Sequence, residues 1–150
     1  MWIYLLALLS ALPLSTGTVV YYAENWDWRQ IAANQHVTIP PGLTPIATPS
    51  CADLGRTGYL SLNGTRVIPV VIADCASPED LETIRSRKII AEVPYPTARQ
   101  YRFLAEGKTA GRLWLRSTSG QTRAGKPPAV TTRPIAAAKS WPAIPATSTD

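Results

Sequence analysis

Residues 65–76, TRVIPVVIADCA, form an apolar run that ends on an acid and a cysteine, Asp74 and Cys75. Val67, Ile68, Val70, Val71 and Ile72 are mostly β-branched and favour a pleated, buried strand, and Asn63-Gly64 ahead of them is a hairpin turn signal. The strand therefore carries Asp74 to its end. A carboxyl group at the rim of a β-barrel is placed for glycan chemistry or glycan binding. The competing reading is an acid that only caps a turn, beside a cysteine that only staples it. A second acid, Glu92, is projected by the short strand IIAEV at residues 89–93.

The elements that must position these acids fit one modest domain with a tail at each end. The chain has 150 residues, 45% of them hydrophobic, but part of that apolar content lies in residues 1–14, MWIYLLALLSALPL, which carry no charged side chain. This run reads as a secretory signal over residues 1–17. Ser15 and Gly17 are the small residues before a cut that would make Thr18 the mature start. The run is short for a bilayer span, and no second apolar segment approaches that length, so export and release are expected, with no stable membrane span after cleavage.

The chain holds two cysteines, Cys51 and Cys75. In an exported chain they fit one disulfide, worth roughly 3 kcal/mol in the chain-entropy model; in a reducing compartment they would be two separate buried thiols. His36 is the one histidine, too few ligands for zinc, so neither a metal nor a cofactor is expected.

Residues 18–22, TVVYY, open the domain as a strand and present Tyr22. Residues 24–30 carry Trp26, Trp28 and acidic neighbours, and residues 31–35 read as a short helical turn ahead of Pro40-Pro41-Gly42. Residues 44–47 and 58–62 read as strands. Ser77 and Pro78 begin a short helix over residues 78–84. A second starts at Pro96 or Thr97, with Tyr101 and Leu104 on one face and Gly107 to end it. Residues 111–116, GRLWLR, alternate as the closing strand. From Ser117 onward, prolines 127, 128, 134, 142 and 145 alternate with small polar residues, which predicts a disordered tail over residues 117–150. Its Arg123, Lys126, Arg133 and Lys139 supply much of the net charge of +5, so the charge describes the tail more than the fold. Export and the lack of basic residues interleaved with aromatics argue against a nucleic-acid partner.

Several segments resemble one family. HVTIPPG at residues 36–42 is similar to the A-H-x-T-L-P-x-G segment of RlpA-like (rare lipoprotein A) domains. VVIAD at residues 70–74 resembles the strand that ends in that family's N-D-R-G-P, and Asp74-Cys75 resembles the Asp-Cys endings of expansin and barwin relatives. KIIAEVPY at residues 88–95 is similar to R-I-I-D-L-S-Y, with Glu92 in the place of the family's acid, and residues 107–115 look like the closing G-x-A-x-V-x-V strand.

The resemblance covers residues 18–116 and implies a mainly β fold, a six-stranded double-psi β-barrel with two short helices. Its members include peptidoglycan lytic transglycosylases, expansins and endoglucanases. It implies a secreted, periplasmic or cell-wall protein, acting as a monomer on peptidoglycan or another wall polysaccharide. Cleaving a glycosidic bond needs a proton donor at the leaving oxygen, and a lytic transglycosylase lets the sugar's own hydroxyl displace the bond. Asp74 is the expected general acid/base, and Glu92 orients substrate or shares the proton. Tyr22, Glu24, His36 and Tyr95 are the expected substrate contacts, with a structural hydrogen bond as the other reading of His36. The alternative function is a non-catalytic, expansin-like binding or wall-loosening module. The chain lacks the family's T-A-N-G-E segment, which leaves Glu24 or Asp27 to stand in for a second acid, and Cys75-Ala76 replaces Arg-Gly-Pro after Asp74.

Overall fold

β-branched and alternating segments become strands where the sequence places them. In a computed structural model that describes residues 14–64 and 66–116, they are β1 (Leu14–Tyr21), β2 (Thr44–Thr48), β3 (Thr57–Leu62), β4 (Arg66–Cys75), β5 (Ile89–Val93) and β6 (Thr109–Leu115). Residues 1–13 of the expected leader and the expected tail lie outside the described residues. The strands close into a barrel in the order β1-β5-β2-β4-β3-β6. β1/β5 and β2/β4 are parallel pairs, and the other four pairings are antiparallel. Closure leaves no unpaired sheet edge. Asn63 and Gly64 both take positive φ at the β3–β4 reversal, the backbone that a tight hairpin needs.

Val19, Ile46, Leu60, Val70, Ile72, Ala91, Val93 and Leu113 fill the interior. Strand alternation then sets what faces outward. Ala91 and Val93 point in, so Glu92 points out, and Ile46 points in, so Ala47 points out. Asp74 shares its parity with Val70 and Ile72 and would face inward in a regular strand. A register shift prevents this: Ile46 pairs with Ile72 but Ala47 pairs with Asp74, leaving an extra residue in β4. This bulge turns Asp74 to the outer face.

Three short helices cover the barrel: α1 (Trp28–Asn34), α2 (Leu81–Ser86) and α3 (Tyr95–Gln100). The helical turn expected at residues 31–35 is thus a full helix that starts earlier, because the Asp27 carboxylate accepts from the Arg29 and Gln30 amides. Its buried Trp28, Ile31 and Ala32 pack on Ala47 and Ala73. The helix expected from Pro78 begins as a 3-10 turn, Pro78–Asp80, and continues as α2. The helix expected to run to Gly107 stops at Gln100 instead. There Arg102 takes φ 60° and the Phe103 amide donates to the Ala98 carbonyl, a Schellman stop that buries Phe103.

β1 reaches back to Leu14, ahead of the expected mature start at Thr18. Leu14, Ser15, Thr16 and Gly17 pair with Trp114, Leu113, Arg112 and Gly111 of β6. A Cβ on Gly17 would run into the Lys88 carbonyl oxygen and the Ile90 side chain, so only glycine permits this approach of β1 to the β5 segment. Cys51 and Cys75 form a disulfide with 5.0 Å between their Cα atoms, tying the turn after β2 to the end of β4. No helix among the described residues is long and apolar enough to cross a membrane.

Candidate functional site

Glu92 and Asp74 stand on either side of one alanine. Ala47 of β2 pairs with Glu92 of β5 on one side and with Asp74 of β4 on the other. All three belong to one row on the outer face, and the small alanine leaves both carboxyl groups room to lean toward each other. Strand spacing puts their backbones about 10 Å apart.

This row is covered rather than open. Tyr22 follows β1, and its ring lies 4.8 Å from Trp28 and 5.1 Å from Trp26 between centroids. Its hydroxyl donates to Asp74 Oδ2 at 2.9 Å, and the Gln35 Nε2 amide donates to Asp74 Oδ1 at 2.6 Å. Asp74 is 1% exposed and Glu92 0%. The two acids are therefore neighbours, but the open rim expected from the sequence is closed by Tyr22 and α1.

The two carboxyl groups differ in how they are satisfied. Asp74 accepts on both oxygens, as a carboxylate does. Neither Glu92 Oε1 nor Oε2 has a hydrogen-bond partner, and the buried Trp28 Nε1 of the covering cluster has none either. Burial disfavours a charge at Glu92, and the charges of Asp74 and then Asp80 add to this, so its pKa rises from 4.5 to about 8. Glu92 thus holds its proton at neutral pH. Burial, then Glu92 and Asp74, also push the Tyr22 hydroxyl far up, which keeps it a donor to Asp74. The third acid, Asp80, is half-buried and accepts from the Ser77 hydroxyl at 2.7 Å.

Of the other residues expected at the site, Tyr22 is there, though as a buried hydrogen-bond donor and not as a sugar platform. Glu24 is exposed on the turn before α1, and Asp27 is spent on the helix cap. His36 is exposed at φ 56°, where it ends α1: the Val37 amide donates to the Ala32 carbonyl and the His36 amide to Ala33. The contact with Asp74 comes from its neighbour Gln35. Tyr95 packs edge-on against Tyr21, 5.9 Å between centroids, and Tyr21 sits against the interior core. Sequence reasoning missed Gln35, Ala47 and Asp80. Gln35 adjoins the motif that singled out His36, which is the one signal that pointed near it.

Among the described residues no group of three or more His, Cys, Asp or Glu side chains is placed to hold a metal ion. No family model matches the chain, and no curated protein matches it in sequence.

Proposed function

We propose that the chain is a secreted, glycan-directed protein of the RlpA-like kind on a double-psi β-barrel, with Glu92 and Asp74 as an acid–base pair for non-hydrolytic cleavage of a wall glycan such as peptidoglycan. Two parallel pairings inside an otherwise antiparallel closed barrel support the fold reading. The disulfide is compatible with an exported protein. The observation that carries the chemistry is Glu92, a buried carboxyl with both oxygens unpartnered beside a second buried acid. Orphaned buried polar groups and strongly shifted carboxyls concentrate at functional sites.

The roles then differ from those expected from the sequence, where Asp74 was the acid. Protonated Glu92 gives its proton to the glycosidic oxygen as the bond to the anomeric carbon breaks. Asp74, which accepts hydrogen bonds from Tyr22 and Gln35, takes the proton from the sugar hydroxyl whose oxygen forms the new bond to that carbon. One proton enters the pair and one leaves. Transfer from Asp74 back to Glu92 resets it.

The complete burial of both acids favours a second reading, the non-catalytic expansin-like module, with half-buried Trp26 at its surface. Incubating the full chain with peptidoglycan sacculi separates the two. The first reading expects fragments with anhydro-sugar ends, and a loss of about 100-fold or more in Glu92→Gln and Asp74→Asn, with pelleting on sacculi retained. Pelleting without release selects the second reading. Neither release nor pelleting defeats both.

A further inference from the structure

An open-sided cavity of about 870 Å³ lies between the β3–β4 hairpin, the loop after α3 and the run into β6. Arg66, Arg102 and Lys108 line it, from three separate stretches of chain, and Glu106 is the acid beside them. Among the described residues the only ion pair joins Arg56 to Asp53, so none of these three cations is ion-paired with a described carboxylate. Each is exposed. Arg66 opens β4 and Asp74 lies eight residues further on, about 26 Å along the strand.

We propose that this cavity binds an anionic polysaccharide, one whose repeats carry phosphate or carboxylate groups. Three cations against one acid in a concave, partly apolar wall leave a net positive field, and guanidinium groups grip phosphate or carboxylate oxygens through paired N–H donors. The volume suits a few sugar units rather than a single ion. Nucleic acid is disfavoured because the lining aromatics are few and engaged: Phe103 is buried and Tyr101 is partly buried against the barrel core, which does not make a platform for successive bases. The site draws on no residue of the acid pair, so it stands whether or not the chain cleaves glycan.

Titrating the full, isotope-labelled chain with polyglycerol phosphate, polygalacturonate, neutral dextran, inorganic phosphate and duplex DNA tests this by backbone amide shifts. The expected result is a saturable shift of amides at residues 63–66 and 100–110 with one or both anionic polymers and none with dextran; whichever polymer binds identifies the anion. The Arg66→Gln/Arg102→Gly/Lys108→Gln variant should bind about tenfold more weakly or worse, with a shallower salt dependence. Arg102→Gly alone should weaken binding a few-fold without loss of thermal stability, because Arg102 sits at φ 60°, where glycine is preferred. Shifts confined to the basic residues beyond 116, unchanged affinity in the triple variant, equal binding of dextran, equal or tighter binding of DNA in the cavity, or binding of inorganic phosphate as an adventitious ion only would each overturn the proposal.

Discussion

Replacing Glu92 with glutamine should make the protein more stable at neutral pH, by about 3 kcal/mol at pH 7. The folded state holds the Glu92 proton up to about pH 8, while an ordinary glutamate releases it near 4.5. Below pH 4.5 both states are protonated and ionisation adds no penalty. Between 4.5 and 8 folding must take up a proton that the unfolded chain has released, so stability falls as pH rises, by up to about 1.4 kcal/mol per unit. Above pH 8 neither state holds the proton, and the penalty levels off near ~5 kcal/mol. Glutamine keeps the shape and cannot ionise. Denaturant melts of wild type and Glu92→Gln from pH 4 to 9 should therefore coincide at the acid end and separate steadily to pH 8, with the variant above. A variant less stable than wild type at pH 7 would mean that Glu92 is ionised and paired in the fold, and a difference that does not change with pH would mean that folding leaves its pKa unshifted. A residue that weakens its own fold while sitting beside a second acid is the trade expected of a functional group rather than a packing one.

A chain that begins at Thr18 should be less stable than one that begins at Leu14 by roughly 4 kcal/mol, counting about 1 kcal/mol for each lost pairing. β1 and β6 share six register pairs, and removing residues 14–17 leaves only Thr18–Ala110 and Val19–Thr109. That seam is one of the six that close the barrel, and opening it exposes a length of unpaired β6. In a domain of this size the shift corresponds to about 16 °C or more in melting temperature. Thermal melts of the two chains check it. Equal melting temperatures would show that residues 14–17 contribute nothing to closure.

The strands were readable because their signals are local: β-branched residues over 67–72, the Asn63-Gly64 reversal, and alternation in GYLSL and GRLWLR. The facing of Asp74 was not. Strict alternation puts it inside with Val70 and Ile72, and only its pairing with β2, which creates the bulge, turns it out. The cover over the acids is equally nonlocal, since Tyr22 and Gln35 reach Asp74 across 52 and 39 residues of sequence. No window of sequence contains that contact. Helix ends were misjudged for a different reason. All three helices end beside a non-glycine residue at positive φ, His36, Lys88 or Arg102, whereas sequence rules look for glycine and so placed the stop of α3 at Gly107. Burying the next apolar residue, as Phe103 is after Arg102, offsets the roughly 1–2 kcal/mol that the left-handed backbone costs. The expected substrate contact fell on His36 of the HVTIPPG segment rather than on Gln35 beside it. In the fold His36 turns the chain, and Gln35 faces the acid.

The central claim is that Glu92 carries a proton at neutral pH beside Asp74. Titrating the side-chain carboxyl carbons of the full, carbon-13-labelled chain reads this directly, with Glu92→Gln to assign the signal. The signal of Glu92 should stay in its protonated position at pH 7 and titrate near pH 8. A Glu92 carboxyl that is already ionised at pH 6 would leave the pair without a proton to donate and would contradict the account.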